Sequence, residues 1–188
     1  MTIVDEQIHA WQLLKSGDYE AAEPLLKSMA ERNSHYAMLC LGWLYDSGKV
    51  GDPDPEIAKF YYKMVADAGV NSGRFELARV LYDEGQFVDS RKLFAEGKED
   101  GCIQCLAWLG TMMARGEGGG KNTEEALILL ERAASEGQLI AIRNLLLIKI
   151  QKSRSPFARI RIYFKILCYS FVAGYEYWKD PYSIRGYR

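Results

Sequence analysis

The chain matches itself. Shifted by 68 residues, the segment from Leu41, LGWLYDSGKVGDPDPEIAKFYYKMVADAG, falls without a gap on the segment from Leu109, LGTMMARGEGGGKNTEEALILLERAASEG. Leu41, Gly42, Gly48, Gly51, Glu56, Ala58, Ala66 and Gly69 coincide with Leu109, Gly110, Gly116, Gly119, Glu124, Ala126, Ala134 and Gly137. Agreement concentrated at small residues marks turns and close contacts, and a fixed internal period restricts the chain to stacked units. A shorter unit lies between the two copies, with its turn at Gly85, and another precedes them around Gly17. Unit ends are read at Asn33, Gly69, Gly101, Gly137 and Gly174, spaced by 36, 32, 36 and 37 residues, the length of one pair of helices. Glycine or asparagine suits the left-handed position just past a helix C-terminus.

Within a unit the pattern is steric. Gly42, Ala78 and Gly110 share one site on the first helix, and Ala22, Ala58 and Ala126 share one on the second, with Ser90 standing in where alanine is expected. Small residues there let the two helices approach, while Leu41, Leu77 and Leu109 fill the space beside them. Asp18, Pro55-Glu56 and Thr123-Glu124-Glu125 are helix-start signals for the second helices. The expectation is an all-α, right-handed α-α superhelix of about five helix-turn-helix repeats. They cover residues 1–174, as repeats 3–33, 34–69, 70–101, 102–137 and 138–174, with an aromatic and basic tail at 175–188.

Bulk properties agree with a folded domain. With 188 residues, 48% hydrophobic and 26% charged, the chain can bury a core without disulfides or metal. The N-terminus has neither a basic region nor an apolar core of a signal peptide, and FARIRIYFKILCYSFVA from Phe157 is broken by Arg159, Arg161 and Lys165. A bilayer span is therefore not expected, and four irregularly spaced cysteines point to a reducing, cytoplasmic setting. Charge is lopsided: from Gln138 onward ten Lys and Arg face two acids, a balance of +8, so the first 137 residues carry −9 of the net −1. That basic end is either a site for an anionic partner or a solvated helix face.

The pattern L-G-x-x-Y-x-x-G from Leu41, its glycine-containing loop, and the alanine-spaced second helix resemble Sel1-like repeats. Gly17-Asp18-Tyr19 and Gly85-Gln86-Phe87, at tight turns, make the first and third units similar to tetratricopeptide repeats. The resemblance covers residues 3–137; after Gly137, Leu145-Leu146 replaces Leu-Gly, so the last unit is a divergent repeat or a capping hairpin. It implies a scaffold for protein complexes and no enzyme, with first helices lining a concave surface. The positions it points inward include Trp11, Leu39, Trp43, Phe75, Arg79 and Arg143. These are the expected partner-binding residues, because aromatic and arginine side chains carry most interface energy. Their competing role is core packing between repeats.

No catalytic or cofactor motif survives inspection, so no cofactor is expected. Gly116-Glu117-Gly118-Gly119-Gly120-Lys121-Asn122-Thr123 departs from a phosphate-binding loop at both ends and occupies the slot of an ordinary repeat loop. Cys102-Ile103-Gln104-Cys105 lacks a second cysteine pair for zinc, and reads as two small contact residues. His9 aligns with Leu41 and Leu77, which predicts a packed position.

The C-terminal helix carries two apolar edges. Ile160, Tyr163, Phe164, Leu167 and Phe171 are expected to pack on the preceding repeat. The second edge, Ile162, Ile166 and Tyr169 flanked by Arg159, Arg161 and Lys165, is the expected contact surface. The tail folding back, a second chain (a homodimer included) or an anionic membrane surface could cover it. The functional expectation is a non-catalytic adaptor that binds a peptide or partner protein, with no nucleic acid expected. Its alternative is a chaperone or assembly factor for bacterial secretion, envelope or polysaccharide-biosynthesis machinery.

Overall fold

The computed structural model describes residues 3–179, with the side chains of residues 3, 152, 169–170 and 172–179 outside the description. Among the described residues there are ten helices and no strand. They run α1 Ile3–Ser16, α2 Tyr19–Glu31, α3 His35–Asp46, α4 Pro55–Asp67, α5 Asn71–Asp83, α6 Phe87–Glu99, α7 Ile103–Arg115, α8 Thr123–Ser135, α9 Leu139–Lys152 and α10 Pro156–Lys179. Two compact units divide the chain, 1–84 and 85–188.

Helix starts follow local side-chain chemistry. Asp18 accepts from the Ala21 amide, Ser34 from Ala37, Asp54 from Glu56 and Ile57, and Asn122 from Glu125, each satisfying an orphan donor of the first turn. Pro55 takes the first helical position of α4, where its missing amide costs nothing. Left-handed residues make the reversals, with Asn33 at φ 61° and Gly137 at φ 82°.

In the first unit α2 packs on α3, α3 on α4, and α4 on α5. Ala10, Leu14, Ala22, Leu26, Met29, Ala37, Leu41, Leu44 and Val65 form one buried cluster. Close approach of α3 and α4 depends on Gly42: a Cβ built there would lie 2.4 Å from Cε1 of Tyr62, itself fully buried. In the second unit α6 packs on α7, α7 on α8 and α9, and α9 on α10. Gly110 plays the part of Gly42 here, with a built Cβ 2.9 Å from Leu130 Cγ and 3.1 Å from the Ala126 carbonyl oxygen. Ser90 is fully buried, so a small hydroxyl does serve at the alanine site.

Four expectations need correction. His9 is exposed, while its neighbour Ala10 is fully buried. Among the described helices α1 packs chiefly on α2, and the face it turns to α2 carries Ala10 and Leu14 rather than His9. Gly174 does not end a helix: α10 continues to Lys179. A lone glycine costs a helix only ~1 kcal/mol and stops it only where a left-handed reversal follows. Cys102 and Cys105 are joined as a disulfide, where two separate contact residues were expected. Cys102 caps α7 and its sulfur accepts from the Cys105 amide at 3.1 Å, which brings the two side chains together at the helix start.

The fourth correction concerns α10. Ala158, Ile162 and Ile166 are its half-buried residues, whereas Ile160, Tyr163, Phe164, Leu167 and Phe171 are exposed. α10 packs on α9, with Ala158, Ile162 and Ile166 half-buried and the aromatic row exposed. Arg159, Arg161 and Lys165 are exposed. The expected tail lies outside the described residues from 180 onward, as does the Tyr169 side chain.

Candidate functional site

The residues expected to line a binding groove divide into three kinds. Trp11 is accessible, 42% exposed, and Lys15 one turn later holds its ammonium 4.7 Å from the ring centroid. Leu39 and Trp43 are half-buried against the core cluster of the first unit, and Trp43 meets Tyr19 edge-on at 5.8 Å. Phe75 is buried. Arg143, in the second unit, is exposed.

Arg79 is committed within the fold. Its Nε donates to Glu76 Oε2 at 2.9 Å, one terminal nitrogen donates to Asp83 Oδ2 at 2.9 Å, and the other donates to Asp46 Oδ2. Burial works against its charge, but Glu76 and Asp46 outweigh that and hold the guanidinium more firmly protonated than usual. Glu76 is 5% exposed, and its Oε1 has no hydrogen-bond partner. Three carboxylates therefore surround one cation, so this edge of α3 and α5 carries net negative charge. The Glu76 and Asp83 partners stand one turn either side of Arg79 and are legible as helix pairs. Asp46 lies on another helix, and no local pattern announces it.

Neighbouring aromatic positions are also tied down. Tyr45 donates to Glu23 Oε1 at 2.5 Å, and Lys27 pairs with the same carboxylate at 2.8 Å. The Lys27 and Tyr45 bonds keep Glu23 below the usual carboxylate range. In the second unit the buried Asn144 donates to Thr111 Oγ1 at 2.6 Å, and Thr111 in turn donates to the Ala107 carbonyl oxygen at 2.7 Å. This polar link joins α9 to α7 across successive repeats, and sequence reasoning missed it.

The glycine-rich loop has a structural explanation. Arg91 on α6 donates to the carbonyl oxygens of Glu117 and Gly120 at 3.2 and 3.3 Å. A Cβ at Gly118 would come within 2.2 Å of the Phe87 carbonyl oxygen, so only glycine lets the loop lie against α6. Beside it is an open cleft of about 430 Å³ whose lining includes Val88, Arg91, Lys92, Lys98, Met113 and Glu125. Among the described residues no group of three His, Cys, Asp or Glu side chains could hold a metal ion, and no helix is long and apolar enough to cross a membrane.

Comparison with known proteins agrees with this geometry. Residues 35–70 and 103–138 match the model of the Sel1 repeat. A Sel1 repeat protein from Oxalobacter formigenes has a similar crystal structure, with a TM-score of 0.65 and 25% identity, over 84% of this chain and 68% of that one. The protective antigen c5321 of uropathogenic Escherichia coli strains, which displays an SLR fold, matches with a TM-score of 0.61 and 19% identity. That match covers 78% of this chain and 33% of the antigen, and shows likeness of fold alone. No curated protein matches this chain.

Proposed function

We propose that this chain, an all-helical repeat protein with Sel1 repeats at 35–70 and 103–138, is a non-catalytic adaptor. Sel1-type repeats generally serve protein–protein interaction. The partner is a peptide or protein segment held along the first helices of the first unit. The observation that carries this reading is Trp11, a tryptophan 42% exposed on the register that also holds Trp43 and Arg79. An indole left in water at such a position costs a monomer apolar exposure that a partner's contact would recover. Asp46, Glu76 and Asp83 around one arginine favour a segment that brings Lys or Arg to that edge. Arg79 shapes the surface and does not itself reach for the partner.

Replacing Trp11 with alanine tests the proposal, since an exposed side chain can be removed without a cavity. A central anchor contributes ~2 kcal/mol or more, so capture of the co-purifying partner should fall at least about thirtyfold with helical circular dichroism unchanged. Undiminished capture refutes the assignment to this face. Loss of partner with transient, substoichiometric clients in its place would redirect the reading to a chaperone.

A further inference from the structure

The outward row of α10 has a spacing that its packing on α9 does not explain. Phe157, Ile160, Phe164, Leu167 and Phe171 are 84, 66, 67, 66 and 77% exposed and follow one another at intervals of 3, 4, 3 and 4 residues. Alternating steps of three and four are the seam of a helix pair, in which each apolar knob enters a hole of a facing helix. At ~100° per residue these five positions span about 80°, and Tyr163 extends the exposed apolar face to about 120°. It stands roughly opposite Ala158, Ile162 and Ile166, the half-buried row. One helix thus has two apolar sides, and one of them is used.

We propose that the outward row of α10 pairs antiparallel with the same row of a second copy of this chain. Area supports a second copy. The five seam residues and Tyr163, 54% exposed, present on the order of 900 Å² at ~150–250 Å² per aromatic, so two copies bury upwards of ~1,000 Å² in total, enough for a specific interface. Charge permits it as well. Arg159 and Lys165 lie off the seam, and Arg161 alone among the basic residues borders it. Antiparallel pairing centred between residues 165 and 166 sets Arg161 across from the partner's Cys168, so no like charges meet. It also places Phe164 opposite Leu167 and Ile160 opposite Phe171, large against smaller in each layer, where parallel pairing would stack phenylalanine on phenylalanine. The pairing does not depend on the adaptor reading of the first unit.

Sedimentation equilibrium of the full chain, with Phe164→Asp and Arg161→Cys variants, tests this. The wild type, 21.4 kDa per copy, should sediment as a dimer, and Phe164→Asp should weaken dimerisation at least about tenfold with helicity intact, because residue 164 is exposed. Mild oxidation of Arg161→Cys should trap a covalent dimer linked from position 161 to Cys168. Within one helix those positions are ~10.5 Å apart along the axis, beyond disulfide reach, so the link reports pairing between copies even if Phe164→Asp fails to fold. A chain that stays monomeric at all concentrations, or a dimer unmoved by Phe164→Asp with no trapped species, overturns the proposal. So does a monomer that pellets with phosphatidylserine vesicles but not with phosphatidylcholine vesicles, since the row would then serve an anionic membrane.

Discussion

Arg79 is where binding and folding roles separate most sharply, and Arg79→Ala measures which it plays. Its side chain is 25% exposed, and that of Glu76, which it neutralises, is 6% exposed. Glu76 Oε1 already lacks a hydrogen-bond partner, so removing Arg79 leaves both carboxylate oxygens unsatisfied in a buried setting. Breaking one side of a buried ion pair costs ~3–5 kcal/mol, most of it the uncompensated charge left behind. Asp83, 57% exposed, adds little to that figure because solvent screens it. For a chain of this length each kcal/mol moves the midpoint by ~2–4 °C, so the variant should melt about 6–20 °C lower by circular dichroism. Glu76→Leu combined with Arg79→Met replaces the pair by apolar groups of similar volume and should recover most of the loss. A melting midpoint within ~2 °C of wild type for Arg79→Ala would refute the clamp and restore Arg79 as a free binding residue.

Two further outcomes follow from the packing and the thiols. Gly42→Ala should destabilise by ~1–3 kcal/mol, because the added methyl drives into the buried Tyr62 ring at 2.4 Å and overpacking exceeds the ~1 kcal/mol gained in helix propensity. Urea unfolding checks it, and an unchanged or raised midpoint contradicts the close α3–α4 contact. Iodoacetamide near pH 8 should label the exposed Cys168 first and Cys40 slowly, since burial pushes the Cys40 thiol up to about 12 and keeps it protonated. Cys102 and Cys105 should label only after reduction. Peptide mapping of the alkylated chain reads all four, and equal labelling of Cys40 and Cys168 would contradict the burial.

The helices and their hairpins are legible in the order of residues alone. Those features are local: a capping Asp18, a Pro55 at a helix start, a left-handed Asn33 or Gly137, a Gly42 or Gly110 where two rods touch, each readable within one period. The repeat matched across 68 residues because the same local solution recurs. The resemblance to Sel1-like repeats supplied the candidate groove positions, but not which were available to a partner. Trp11 and Trp43 share a register, yet one lies in water and the other against Tyr19, because accessibility depends on what neighbouring helices bring. Arg79 meets Asp46 from another helix, 33 residues away, and Thr111 meets Asn144 across the same interval. The rotation of α10 was a choice between two apolar rows of one helix, both compatible with its periodicity. In the tertiary structure, where α10 packs on α9, Ala158, Ile162 and Ile166 are half-buried and the bulkier aromatic row is exposed. A helix's own sequence sets which faces are apolar, whereas the space left by its neighbours sets which face is buried.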